Sequence, residues 1–309
     1  MPCTPILGQV TSRMTSALAE SSRPFADVDT IADVLLRNPG ALVLTGAGIS
    51  TESGIPDYRG PDGKRRVTPM EHSEFVGSSG ARQRYWARSY IGWARFNGAE
   101  PNDGHRGVAA LQRSGHLGSI ITQNVDGLHQ RAGAREVTEL HGSLGDVICL
   151  DCGAVHDREF LQALMTDANP GFAELATGAA SDGSRVSSQI RPDGDIVLAD
   201  DLVADFVQPT CPRCDSDKVK PDVVFFGGSV PKERVDHCFA LTDAAPALLV
   251  LGSSLQVMSG FRFVRRAAAR GIPCLAITRG PTRAEDLLTH HLDAPLGETL
   301  KALQERLIQ

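Results

Sequence analysis

Four cysteines in two spaced pairs carry the most specific chemistry in this sequence. Cys149-x-x-Cys152 and Cys211-x-x-Cys214 are separated by 58 residues. Four thiolates fill the tetrahedral shell of Zn²⁺ and leave no position for a substrate, so the metal they imply is single and structural. A redox Cys-x-x-Cys would set one pair at a helix N-terminus, and neither pair reads that way. The remaining three of seven cysteines, Cys3, Cys238 and Cys274, are scattered. This odd count suits a reduced compartment and a metal site rather than a disulfide scaffold.

A phosphate-binding signal lies earlier. Residues 41–44 are an apolar run that reads as a buried strand, broken by Gly46-Ala47-Gly48. Such a turn lets a ligand approach the backbone, and its N–H groups suit a pyrophosphate. The dinucleotide fingerprint would want a third glycine where Thr51 stands, and an acid about 20 residues on. A polar, basic loop over 60–68 occupies that region instead. The turn points to a phosphate-bearing cofactor, but not to ordinary dehydrogenase use of it.

Three polar groups could complete a site. Gln123-Asn124-Val125-Asp126 sets an amide pair and an acid at a strand end, suited to the amide and ribose of a nicotinamide nucleotide. Taken alone, a polar loop without chemistry is the better reading. His141 ends another short strand, where a general base can work near neutral pH. It is one of nine histidines, so position alone does not assign it. Tyr85 and Arg88 share a helix face and could recognise a carboxylate or polar acyl terminus. Unaided, a solvated arginine beside a packed tyrosine is the simpler account. No G-x-S-x-G elbow occurs and the paired thiols are committed to metal, so no hydrolase nucleophile is evident.

These groups need a scaffold, and the periodicity outlines one. Helices are expected over 25–40 (capped by Asp29 or Thr30), 82–96, from Pro101-Asn102-Asp103 to about Gly115, around Leu128, and over 231–245, 261–270 and 300–307. Strands are expected at 41–44, 119–122, 136–140, 223–226, 247–251 and 273–277. Strands alternating with helices imply an α/β, doubly wound parallel (Rossmann-like) sheet, whose strand ends bind ligands. Between His141 and Lys220 the chain turns hydrophilic and turn-rich, with Asp182-Gly183 and Asp193-Gly194-Asp195, and reads as an inserted small zinc-binding domain. A small helical module follows the 60–80 loop. The Rossmann-like part is read as 25–60, 100–145 and 221–309. The small part is read as 61–99 and 146–220.

Composition sets bounds. The 309 residues are 41% hydrophobic, enough for a sizeable core, and the net charge of −6 argues against a nucleic-acid or membrane-surface binder. No run approaches the ~18 apolar residues of a membrane span. Residues 1–24 lack the apolar core of a secretory signal and read as a disordered tail.

Together these features resemble the sirtuins, NAD-dependent protein lysine deacylases. The matching segments are Gly46-Ala47-Gly48-Ile49-Ser50, Ile55-Pro56-Asp57-Tyr58-Arg59, Thr122-Gln123-Asn124-Val125-Asp126-Gly127-Leu128-His129, Glu139-Leu140-His141-Gly142, the cysteine pairs, Lys220-Pro221-Asp222-Val223-Val224-Phe225-Phe226-Gly227 and Gly252-Ser253-Ser254-Leu255-Gln256-Val257. They occur in family order across roughly residues 25–300. Tyr85-Trp86-Ala87-Arg88, Pro192-Asp193-Gly194-Asp195 and Gly280-Pro281-Thr282-Arg283 are similar to the class II branch, of the lipoamidase and ADP-ribosyltransferase type. The Tyr-x-x-Arg pattern is also similar to that with which desuccinylating sirtuins hold acidic acyl groups.

The resemblance implies roles. NAD, consumed as co-substrate, would be held by Gly46, Ala47, Gly48, Ile49, Asp57, Tyr58, Arg59, Gln123, Asn124, Asp126, Gly252, Ser253, Ser254, Thr278, Arg279, Gly280 and Leu296. Asn124 and Asp126 would line the nicotinamide pocket, and His141 would deprotonate a ribose hydroxyl. The acylated peptide would lie as a strand between Val224, Phe225, Phe226 and Gly227 on one side and Ser254–Val257 on the other, its acyl end near Tyr85 and Arg88. Products would be free lysine, nicotinamide and O-acyl-ADP-ribose. Thr278-Arg279-Gly280 departs from the family's Asn-x-Gly, whose Asn contacts the adenine-side ribose; Thr278 offers a single hydroxyl there. The resemblance also implies acylated protein partners, no nucleic acid or membrane, a monomer, and a cytoplasmic (bacterial) or mitochondrial-matrix (eukaryotic) setting. Mono-ADP-ribosyl transfer or lipoamidase activity through the same site, an ADP-ribose-binding module with little turnover and a zinc-ribbon nucleic-acid binder are the alternatives.

Overall fold

Short apolar runs separated by amphipathic helices assemble here into one parallel sheet with a smaller antiparallel sheet beside it. The computed structural model describes residues 26–60, 64–65, 68–180, 191, 194–196, 198 and 200–308. The expected tail, the Asp182-Gly183 turn and Pro192-Asp193 lie outside the described residues. The chain runs through α1 (Val28–Arg37), β1 (Ala41–Thr45) and a 3₁₀ turn (Ala47–Ser53). Then come α2 (His72–Gly77), α3 (Ser79–Asn97), α4 (Asp103–Arg113), β2 (Leu117–Thr122), α5 (Leu128–Arg131) and β3 (Val137–Glu139). The middle holds β4 (Gly142–Cys149), β5 (Val155–Asp157), α6 (Arg158–Ala168), α7 (Phe172–Ala180), α8 (Asp200–Ala204) and β6 (Val219–Val223). The chain closes through α9 (Lys232–Ala244), β7 (Leu248–Leu251), α10 (Met258–Ala269), β8 (Cys274–Ile277), β9 (His290–Leu292) and α11 (Leu296–Leu307).

The large sheet has the order β3-β2-β1-β7-β8-β9, parallel throughout. Alternation along its strands feeds two layers, because successive side chains point to opposite faces. Val43, Leu249, Leu251 and Ile277 pack under Ile31 and Leu35 of α1, Val108 and Leu111 of α4 and Leu300 of α11. Leu42, Leu44, Val250 and Ala276 pack under Cys238 of α9 and Phe263 and Val264 of α10. This is the doubly wound arrangement that the alternation of strands and helices predicts. No helix among the described residues is long and apolar enough to cross a membrane.

β4 pairs antiparallel with β5 and β6 in the second sheet. A third apolar cluster joins this sheet to α3 and α6 through Trp86, Trp93, Leu144, Val147, Leu161, Met165 and Val219. Trp86 Nε1 donates to the carbonyl of Val219 at 3.0 Å. The buried Arg158 guanidinium lies over both indoles, 5.3 and 4.6 Å from their centroids, a setting in which a cation keeps favourable contacts out of water.

Three expectations are corrected. Asp27 caps α1, its carboxylate accepting from Thr30 N at 2.8 Å, whereas Asp29 and Thr30 lie inside the helix. The strand expected at 223–226 ends at Val223 and belongs to the small sheet, opposite β4; the apolar residues after it line a cavity instead of extending a sheet. The stretch after the first cysteine pair is not mainly turns: α6 is a capped helix, hard to read because it buries only Arg158, Leu161 and Met165.

Gly142 joins the two sheets directly after His141. Its φ is 83°, and a Cβ there would overlap the carbonyl oxygen of Asp222. Gly142→Ala is expected to lower unfolding free energy by about 3 kcal/mol or more in urea titrations. Gly115→Ala, with similar φ but nothing within 4 Å, is expected to cost only about 1 kcal/mol.

Candidate active site and metal centre

The crevice is built where β1 and β7 end side by side. Thr45 pairs with Leu251, so the turns that follow are level with each other. Gly48 N donates to Gly252 O at 2.9 Å and Gly46 N to Leu251 O at 3.1 Å. A Cβ on Gly46 would sit 2.8 Å from Ser253 Cβ, and one on Gly48 2.8 Å from Gly252 O. These glycines are therefore demanded first by the neighbouring turn. Ile49 is buried in the core beneath it.

The loop after β2 supplies the polar groups. Asn124 Nδ2 donates to Ser50 Oγ at 3.0 Å and to Gly46 O at 3.2 Å. Ser50 Oγ donates to Asp126 Oδ2 at 2.7 Å, and Leu128 N to Asp126 Oδ1 at 2.9 Å. Enclosure raises the Asp126 carboxyl above the usual carboxylate range, against those two hydrogen bonds. Gln123 Nε2 donates to Thr45 O at 3.1 Å and Ser253 Oγ at 2.9 Å, bridging the two turns. Behind this layer the rings of His105 and His129 meet edge to face at 5.0 Å. Burial lowers His105 to about 3 and His129 to about 4, so both are neutral at physiological pH.

His141 is held at both ring nitrogens. Nδ1 lies 2.8 Å from Gln123 O and Nε2 2.8 Å from Ser259 Oγ. A carbonyl only accepts, so Nδ1 carries the proton and Nε2 presents its lone pair to the Ser259 hydroxyl. Enclosure lowers the His141 pKa from 6.5, with Arg234 and Arg262 adding to the effect and the Gln123 bond opposing it. Ser259, on the first turn of α10, is invisible to spacing arguments, as is His105; His129 lies within the motif after β2, but only the fold reveals its contact.

Two cavities meet at His141. One of about 570 Å³ is lined by Tyr85, Asn124, Asp126, Val224, Phe225, Phe226 and Gly227. The other, of about 480 Å³, is lined by Gly48, Asp57, Arg59, Gly252, Ser253, Ser254, Thr278, Arg279 and Leu296. Ala47, Tyr58, Gln123, His141 and Val257 line both. Of the remaining expected site residues, Gly46, Ile49 and Gly280 support the second cavity without lining it; Gly280 N donates to Asp293 Oδ1 at 3.2 Å. Arg88 lines neither cavity. It is half-buried one turn from Tyr85, with Nε enclosed and lacking a hydrogen-bond partner among the described residues.

The four paired cysteines converge away from both cavities, their sulfurs all within 4.8 Å of one another. The Cys149–Cys214 and Cys152–Cys211 pairs are 3.6 and 3.7 Å apart. A tetrahedral zinc shell with Zn–S near 2.3 Å has sulfurs about 3.8 Å apart, so the cluster fits Zn²⁺ in donor type, number and size. Burial alone would raise the Cys149 thiol, but the N–H groups of Cys152 and Asp151 and neighbouring thiols bring it to about 7. Such a thiol is readily ionised for metal binding. Cys211→Ser is expected to drop zinc content from one per chain to near zero by elemental analysis, and to lower the Tm by at least about 5 °C.

Comparison with known proteins agrees with this geometry. Residues 46–259 match the Sir2 family. The chain is 51% identical to NAD-dependent protein deacetylase 1 of Streptomyces coelicolor, over 91% of this chain and 90% of that protein. It is 48% identical to NAD-dependent protein deacetylase 1 of Mycobacterium avium, over 86% and 90%. A solved Sir2 complex with a p53 peptide and NAD⁺ superposes with a TM-score of 0.69 at 27% identity, covering 91% of this chain and 98% of that one. A turn-bounded crevice, a doubly held histidine and a distant four-cysteine centre thus sit on a scaffold shared with these proteins, and the chain belongs to the Sir2 family, the sirtuins.

Proposed function

We propose that this chain removes acyl groups from protein lysine with consumption of NAD, giving nicotinamide, O-acyl-ADP-ribose and free lysine. The observation that carries the reading is His141: a neutral imidazole with its Nε2 lone pair at the junction of two cavities. One has the floor of a dinucleotide crevice, the other the apolar wall a lysine stem needs. The Streptomyces and Mycobacterium relatives, named as NAD-dependent protein deacetylases, support it.

When bound, NAD supplies an electrophilic ribose carbon as nicotinamide departs. The chain's residues do the rest. Ala47, Gly48, Asp57, Tyr58, Arg59, Gly252, Ser253, Ser254, Thr278, Arg279 and Leu296 would hold the dinucleotide, Gly46 supporting the turn beneath it and Gln123 lying toward the ribose. Asn124 and Asp126 receive the nicotinamide amide. His141 Nε2 exchanges its bond to Ser259 for a ribose hydroxyl and accepts that proton, while Gln123 O keeps the ring oriented. The peptide adds as an extended segment beside Val224, Phe225, Phe226 and Gly227.

Assignment to the class II branch rests on its three motifs. Its Gly280-Pro281-Thr282-Arg283 segment braces the crevice: Arg283 N donates to Ser254 O at 2.9 Å and Nη1 to Gln256 O at 3.1 Å. Lipoamidase action or mono-ADP-ribosyl transfer would use the same crevice, and label from the adenine half of NAD remaining on protein would mark the latter. Acyl preference falls on Tyr85, which walls the tunnel, and through it on Arg88, one turn along the same helix.

Nicotinamide release from NAD with an acyl-lysine peptide is expected in wild type and reduced at least about 100-fold in His141→Ala. Because the base is the neutral form and its pKa is lowered, the acid limb of kcat/KM is expected to be centred below 6.5. An acid limb centred above that value defeats the assignment. Mass spectrometry of an acyl-peptide panel is expected to rank acidic or long acyl groups above acetyl, and Arg88→Met to erase that order. Acetyl removed fastest, with the order unchanged in the variant, would reject it.

A further inference from the structure

The tunnel cavity has a charged mouth that the chemistry of acyl transfer does not use. Two cations line it, Lys232 and Arg262. Lys232 is exposed and already paired with Asp236 on its own helix. Arg262 differs. It is half-buried on α10, one turn beyond Met258, and its one described bond is Nε to Met258 O at 3.4 Å. No carboxylate among the described residues lies within ion-pair distance of it. Arg234, also half-buried and without such a partner among the described residues, has Nη1 on Leu140 O at 3.4 Å. Both arginines are close enough to depress the charge of His141. A protein of net charge −6 thus places two arginines beside His141. Arg234 is also close enough to Glu139 to pull that carboxyl down against the rise its burial causes, which leaves Arg262 as the cation of the cavity lining without a carboxylate at ion-pair distance among the described residues.

The position of Arg262 limits its ligand. It lines the tunnel cavity and not the dinucleotide crevice, so NAD phosphates are not its target. On the deacylase reading the acyl end of the lysine meets the α3 side of the cavity, at Tyr85, and the lysine stem that leads to it carries no charge. What passes over the mouth is the peptide that carries that lysine. Beside Arg262, Val257 and Met258 are 44% and 42% exposed and form an apolar ledge for such a segment. The rim acid Glu71 lies at the other edge, beside Gly227.

We propose that Arg262 is a substrate-selecting residue that binds the carboxylate of an aspartate or glutamate flanking the acyl-lysine. This rests on the deacylase reading. A guanidinium is suited to the task because its planar fork meets a carboxylate with two parallel hydrogen bonds. The preferred partner is therefore an acidic, extended protein segment, drawn in by the field of Arg234 and Arg262 and fixed by Arg262 itself.

The test uses one acyl-lysine peptide in three forms, with Asp, Ala or Lys beside the lysine, assayed near pH 8 so that His141 is neutral. Wild type is expected to favour the Asp form over Ala by about threefold to fivefold in kcat/KM, mainly through KM, and less so in high salt. Arg262→Gln removes the preference, and Arg262→Glu inverts it toward the Lys form. Fluorescence anisotropy of the same labelled peptides, with ADP-ribose present, reads the ratio without turnover. Equal binding of all three forms by wild type, or an Asp preference that survives Arg262→Glu, overturns the assignment. Absence of turnover with every peptide counts against deacylation, and the anisotropy ratio still decides the role of Arg262.

Discussion

The amide of Gly48 donates to the carbonyl oxygen of Gly252 at 2.9 Å, and the width of the crevice follows from that contact. β1 and β7 are neighbours in a parallel sheet, so their C-terminal turns emerge level and on the same side. With side chains at 46 or 48 the turns would be forced apart. Glycine at these positions brings the two backbones together, and Gln123 then spans both with one amide. The small residues that look like a ligand signal in the sequence are first a packing requirement between two loops.

Behind the crevice the polar groups are arranged so that little charge is buried. His105 and His129 are neutral because their enclosure outweighs any benefit of protonation. Asn124 and Ser50 contribute dipoles rather than charges, in a relay: Asn124 donates to Ser50 Oγ, which donates to Asp126. A floor of hydrogen-bonded dipoles around a single enclosed carboxyl suits a neutral amide better than an anion, because the amide can donate to the carboxyl without bringing a second charge out of water. His141 follows the same logic. Its proton is fixed on Nδ1 by a carbonyl that cannot donate, which leaves Nε2 basic without need of a carboxylate partner.

Much of this was legible in the residues. Apolar runs at 41–44, 247–251 and 273–277 are continuous because those strands are covered on both faces, so the sheet could be read from pattern. The cysteine spacing foretold a single four-sulfur cluster. What the pattern hid has a common cause: contacts made across long separations by ordinary residues. Ser259 reaches His141 from 118 positions away. β6 pairs with β4 although Pro221 sits within it, which argues against a central strand unless the small sheet is known. α6 escapes because a buried arginine, held over two indoles, occupies what would otherwise be an apolar position. Arg88 looked equivalent to Tyr85 by helical spacing, yet only Tyr85 meets the cavity, since residues three apart are rotated relative to each other as well as stacked.

The metal centre is remote from the reaction but mechanically joined to it. β4 starts at Gly142, beside His141, and ends at Cys149. β6 begins a few residues beyond Cys214 and ends at Val223, beside the tunnel wall at 224–227. These two strands pair with each other, and each has one end at the cysteines and the other at the cavity. Val224 N also donates to His141 O at 2.8 Å, closing the pair at the cavity end. Four-sulfur ligation at the far end would therefore fix the register of β4 against β6. That register sets the distance between the histidine and the tunnel wall, because strands slide by whole residues and each step moves a side chain to the opposite face. A structural metal with no open coordination position can in this way govern the spacing of a site it never touches.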